Sequence, residues 1–202
     1  MKNPLKNKWQ RKWLSLDVTH VKIQEMADAA QDFCCRWMNN NPIPALLILV
    51  GDSGTAKTHT LKKILRFCSA AAHPAFDTGK WGSSKIPSVM YMNFPETASR
   101  LVKDDLSELP DIFMADLLGF DDLGAEDDQW KKCPDKICQI LSRREKKFTV
   151  LTTNLSPQFW AGVVDEKLKK SVGYDVRIAD RLLRNSTCVD LTGVPSYVMA
   201  TK

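Results

Sequence analysis

The residues with the clearest chemistry are Gly51-Asp52-Ser53-Gly54-Thr55-Ala56-Lys57-Thr58, which follow the apolar run Ala45 to Val50 and open a helical pattern. Successive backbone N–H groups in a tight loop form a concave nest for phosphate oxygens. The N-terminus of the helix behind the loop adds a favourable dipole. Lys57 is placed to reach the β- and γ-phosphates of a nucleotide, and the Thr58 hydroxyl to hold Mg²⁺. Ala56 stands where this Walker A pattern has its second glycine, so the loop must accommodate a methyl group beside the phosphates.

Two further clusters follow in chain order. Leu117-Leu118-Gly119-Phe120-Asp121-Asp122 has the form of a Walker B element, a buried strand that delivers acids at its C-terminal edge. That edge is where open α/β sheets bind ligands. Asp121 is the candidate for the Mg²⁺ shell. Thr152-Thr153-Asn154 ends another strand with a side-chain amide that can hydrogen-bond a γ-phosphate and an attacking water. Taken alone, an acidic strand end is more often a turn or a helix cap, and an Asn before Pro157 suits turn chemistry. The phosphate loop upstream is what makes both candidates for one site.

The elements that must position these residues are legible in the periodicity. Val18 to Met38 reads as a helix, with Val21, Ala29, Phe33 and Trp37 at multiples of four residues, and Asn39-Asn40-Asn41-Pro42 ends it. Ala45 to Val50 is short and wholly apolar, as a strand buried on both faces requires. A helix is predicted over 57–72, a long Gly-, Ser- and Pro-rich loop over 73–87, a strand over 88–93 and a helix over 96–102. Strands follow over 116–120 and 148–153, with a weaker one over 187–191 and a helix over 134–146. Strands alternating with helices imply an α/β fold with a five-stranded parallel sheet covered on both faces.

Composition excludes several classes. The 202 residues are 44% hydrophobic, 26% charged and 8% aromatic, an ordinary globular mixture. No apolar run approaches the ~20 residues of a membrane span, and no secretory h-region is read before residue 20. Six cysteines contain no CxxC pair, and neither they nor the three histidines fall at zinc-ligand spacing. Reduced thiols in a cytoplasm are the expected state. Residues 1–13 hold Lys2, Lys6, Lys8, Arg11 and Lys12 with no acid, and account for the whole net charge of +5. With Trp9 and Trp13, this arm over 1–18 suits a nucleic-acid backbone or an acidic partner, and equally a solvated terminus. Residues 19–202 are expected to form the folded domain.

The order of these elements resembles the AAA+ ATPases of the DnaC/IstB group, the helicase loaders and related transposition regulators. The resemblance rests on Gly51 to Leu61, Asp116 to Gly124, Ile140 to Lys147, Thr149 to Pro157, Arg177 to Leu182 and Leu191 to Tyr197. It implies a P-loop AAA+ (ASCE) sheet and, with few residues after Arg181, a minimal or absent helical lid. It also implies ATP and Mg²⁺ as cofactors, with Gly51 to Thr58 and His59 around the nucleotide, and Thr58 and Asp121 on the metal. Asp122 takes the place of the acid that orients and deprotonates water, and the double Asp is typical of the group. Asn154 takes the sensor 1 position. The group assembles into rings or spirals, and Arg181, with Arg177 as the alternative, matches the arginine finger that one subunit lends to the next. Val198 stands where the group often has the arginine of a Ser-Tyr-Arg ending. Implied partners are further copies of the chain, DNA, and a helicase or a transposase, in a bacterial or phage-encoded cytoplasmic protein.

Three functions compete at this point: a DnaC-type loader or IstB-like regulator, a small-molecule P-loop kinase, and a nucleotide-switched scaffold with little hydrolysis. A kinase would need an arginine-rich lid, for which Arg143-Arg144 is the only adjacent pair. A scaffold is favoured by Ala56 and by the shorter acid at Asp122.

Overall fold

Buried, uncharged, branched side chains dictate the centre of the molecule. Leu46–Val50 form strand β1, and all five residues are buried. In the computed structural model the described residues are 20–71, 87–124, 132–155, 163–165, 170–172 and 176–196. The N-terminal arm and almost all of the 73–87 loop lie outside them. The remaining elements are α1 (Val21–Met38), α2 (Lys57–Ala71), β2 (Val89–Asn93), α3 (Phe94–Val102), α4 (Leu109–Met114), β3 (Leu117–Leu123) and α5 (Pro134–Arg143). They continue as β4 (Phe148–Thr153), β5 (Val163–Asp165), β6 (Lys170–Val172), α6 (Val176–Leu183) and β7 (Ser186–Asp190). The five-stranded sheet is parallel throughout, in the order β2-β3-β4-β1-β7, and β5 and β6 pair as a separate antiparallel ribbon.

Side chains alternate across a strand, so the two faces of the sheet have two separate cores. Leu47 and Leu49 face Ile23, Met26, Phe33 and Trp37 of α1 and Leu61, Ile64 and Leu65 of α2. Leu46, Ile48 and Val50 face Phe94 and Ala98 of α3, Ile137 and Ile140 of α5, and Ile178 and Leu182 of α6. Each such Leu or Ile contributes about 1.5–3 kcal/mol by leaving water. Phe33 and Trp37 meet Phe148 edge-on, with ring centroids at 5.5 and 5.2 Å, which seats α1 across β4. Gly119 lets α2 approach β3. A Cβ there would lie 2.6 Å from Leu65 Cδ1 and 2.9 Å from Leu61 Cδ2, both buried.

Several expectations change at their edges. The first helix begins at Val21 because His20 caps it, its Nδ1 accepting from the Lys22 N–H. The helix expected to run to 146 stops at Arg143, because Arg144 turns inward. Its buried guanidinium donates to the Ile112, Ala115 and Phe148 carbonyls and to Thr149 Oγ1. Arg143 lies over the Phe113 ring at 5.0 Å. Neither arginine belongs to a kinase lid. Among the described residues that follow β7, 191–196, no helix occurs. No helix of the described residues is long and apolar enough to cross a membrane.

Candidate nucleotide site

The phosphate loop is built where β1 ends. The Gly51 N–H donates to the Thr153 carbonyl at 3.2 Å, and the Leu191 N–H to the Val50 carbonyl at 2.8 Å. Gly51 has φ +147°, and a Cβ on it would stand 2.8 Å from Leu191 Cβ, so only glycine fits between the strands. The loop then closes on itself, with Thr55 Oγ1 donating to the Asp52 carbonyl at 2.9 Å. Ala56 takes φ +65°, a left-handed conformation in a non-glycine residue. Its carbonyl accepts from Thr60 N–H at 2.9 Å as α2 begins.

Lys57 is buried, with Nζ donating to the Gly51 and Asp52 carbonyls at 2.6 and 2.8 Å. Burial lowers its pKa, against the opposing attraction of Asp122, Asp52 and Asp121. The next residue reaches across to β3: Thr58 Oγ1 donates to Asp121 Oδ1 at 2.9 Å. Asp121 is buried and accepts twice more, from Thr152 Oγ1 on Oδ1 at 2.6 Å and from Tyr91 Oη on Oδ2 at 2.8 Å. Burial, then the hydrogen bond to Asp121, pushes the Tyr91 hydroxyl up to about 12.

A β-bulge delivers the two acids. β3 and β4 pair regularly through Phe120↔Leu151 and resume at Leu123↔Thr153, so Asp121 and Asp122 lie opposite Thr152 alone. Asp122 takes φ +59°, and its N–H donates to Thr152 Oγ1 at 2.8 Å. Asn154 follows the last residue of β4, exposed at the same carboxyl edge, and His59 is exposed on α2. The structure thus brings the phosphate loop, Lys57, Thr58, Asp121, Asp122 and Asn154 to one edge of one sheet.

A carboxylate oxygen and a hydroxyl in contact form a hard donor pair. That suits a Mg²⁺ ion, which keeps several waters and takes its other ligands from phosphates. Among the described residues no group of three or more His, Cys, Asp or Glu could hold a metal without such help. Arg181 lies elsewhere. Its Nε donates to Ser142 Oγ at 2.8 Å and its Nη1 to Asp180 Oδ2 at 2.7 Å. It lines a small pocket with Leu46 and Thr149, the residues at the amino ends of β1 and β4. Arg177 Nη1 pairs with Asp135 Oδ1 at 2.6 Å.

No protein-family model matches the chain, and no curated protein matches it. Solved structures do. The crystal structure of DnaI superposes with TM-score 0.65 over 91% of this chain and 88% of that one, at 23% identity. The DnaC helicase loader superposes with TM-score 0.60 over 92% and 98%, at 21% identity. A replication initiator DnaA bound to AMPPCP and single-stranded DNA gives TM-score 0.54 over 82% of this chain and 50% of its own, at 15% identity. The chain has the fold of DnaI and of the DnaC helicase loader.

Within this fold two residues of the candidate site escaped the motif reading. Thr152 was legible only as part of Thr-Thr-Asn, without its role between the two acids. Tyr91 carried one weak signal, a phenol hydroxyl among the apolar residues Val89, Met90 and Met92 of its strand. Its pairing with Asp121 depends on β2 and β3 being neighbours, with Asn93 opposite Asp121.

Proposed function

We propose that the chain is an ATP-dependent AAA+ subunit that assembles with ATP between neighbouring copies and loads a replicative helicase onto DNA. The observation that carries this reading is the Thr58–Asp121 contact, which joins the phosphate loop to the acidic strand end across 63 residues of sequence. Two of the solved neighbours, a helicase loader and a replication initiator, favour helicase loading over transposition.

The chain's own groups then divide the work. Backbone N–H groups of 51–58 cradle the phosphates, and Lys57 turns from the loop carbonyls to the β- and γ-oxygens. Thr58 and Asp121 would hold Mg²⁺, which would supply neutralisation of the phosphate charge. Asn154 orients the attacking water against the γ-phosphate, and Asp122 accepts its proton. ADP and phosphate leave, and the grip on DNA loosens. Arg181, far from its own phosphate loop, serves the site of the adjacent copy, where an arginine finger is worth orders of magnitude in rate in related NTPases.

A second reading, a nucleotide-switched scaffold with little turnover, is favoured by Asp122. It is a short acid, held with φ +59° and its N–H on Thr152. Asp122→Asn and Lys57→Ala separate the two. A scaffold keeps its loading activity in the first variant and loses it in the second, whereas a hydrolysing loader is impaired in both. The general test is ATP hydrolysis over a range of protein concentrations, with and without DNA. Turnover rising more steeply than concentration and stimulated by DNA is expected. Turnover strictly proportional to concentration and indifferent to Arg181→Ala would remove the assembly mechanism.

A further inference from the structure

Asp121 has four places at which its two carboxylate oxygens can accept, and three are already assigned. Oδ1 takes the Thr58 and Thr152 hydroxyls, and Oδ2 takes Tyr91. The first two donors belong to the motifs themselves. Tyr91 does not: it comes from β2, the strand at the sheet edge, and reaches Asp121 from the opposite side. The residue is 39% exposed, yet its ring is held by the Lys62 ammonium, 4.8 Å from the ring centroid. That cation–π contact fixes the ring plane from α2, the same helix that carries Thr58. One helix therefore positions both donors, Thr58 directly and Tyr91 through Lys62.

A carboxylate pinned on one oxygen can still rotate about its Cβ–Cγ bond. Pinned on both, it cannot. A hydrogen-bond partner that orients a metal-shell carboxylate without touching the metal commonly governs affinity for that metal. We infer that Tyr91 is a positioning residue for Mg²⁺·ATP, holding Asp121 Oδ2 so that the carboxylate meets the metal's water shell in a fixed orientation. The inference rests on the nucleotide reading above and adds to it a residue outside every motif. It concerns the metal, and not the grip of the loop on phosphate, since Tyr91 bonds Asp121 and the Asn93 side chain, neither of them in the loop.

The test is binding of a fluorescent ATP analogue by the full chain, in EDTA and then titrated with Mg²⁺, for wild type and Tyr91→Phe. Phe keeps the ring and the Lys62 contact, and equal thermal unfolding midpoints verify the fold. The expected result is unchanged affinity in EDTA and a Mg²⁺ half-saturation point raised about tenfold. Lys62→Ala should move that point in the same direction by a smaller factor, about twofold to threefold, because it frees the ring without deleting the hydroxyl. A Tyr91→Phe half-saturation point within twofold of wild type overturns the inference. So does an equal loss of affinity with and without Mg²⁺, which would make Tyr91 part of the loop's support. Wild type that binds no nucleotide at all would instead sink the underlying nucleotide reading.

Discussion

Ala56 is the residue at which sequence and backbone disagree most plainly. The chain turns from loop to helix with φ +65°, where an L side chain crowds the neighbouring carbonyl and glycine does not. The sequence showed the substitution, and the structure shows that the turn is kept in spite of it. Ala56→Gly is therefore expected to raise stability by about 0.5–1 kcal/mol, the relief of crowding exceeding the extra freedom of glycine in the unfolded chain. Chemical denaturation checks the figure, and nucleotide affinity should not fall. Most of the candidate site was legible at this scale, because Lys57, Thr58, Asp121 and Asn154 each sit in a short local pattern. Tyr91 and Thr152 were not, since their meaning lies in contacts with residues about 30 positions away.

At the scale of elements, the strands were read well and the small pieces were not. A wholly apolar run such as Leu46–Val50 has one stable home, a central strand. The helix α4 has six residues, and the ribbon β5–β6 has three in each strand, so neither offers a full period to detect. Helix α6 spans eight residues, with Ile178, Ala179 and Leu182 buried, barely two turns of pattern. Arg144 misleads in a different way: it reads as part of a helix running to 146, yet it ends that helix and locks α4, α5 and β4 together through backbone carbonyls. Arg144→Ala leaves the Ile112, Ala115 and Phe148 carbonyls without this donor in the interior. A loss of about 3–5 kcal/mol is expected, read from the urea midpoint. Arg144→Lys should recover only part of it, since a single ammonium cannot match the planar fork.

At the scale of the whole molecule, the two ends of the sheet carry different halves of one proposed site. The carboxyl edge holds the phosphate loop and the acids, and the amino edge holds Arg181 beside Ser142, Leu46 and Thr149. Arg181 stands at the edge opposite its own phosphate loop, so the proposed assembly would bring it to a neighbour's loop by a head-to-tail contact, the kind that builds rings or helical filaments. The most direct test of this account mixes two inactive variants, Lys57→Ala, which lacks the nucleotide site, and Arg181→Ala, which lacks the finger. Each alone should hydrolyse ATP at a small fraction of the wild-type rate in the presence of DNA. Mixed in equal amounts, they should recover about a quarter of wild-type turnover, because one interface in four unites an intact loop with an intact arginine. A mixture no more active than the sum of its parts, with assembly intact by light scattering, would contradict a site shared between neighbouring copies.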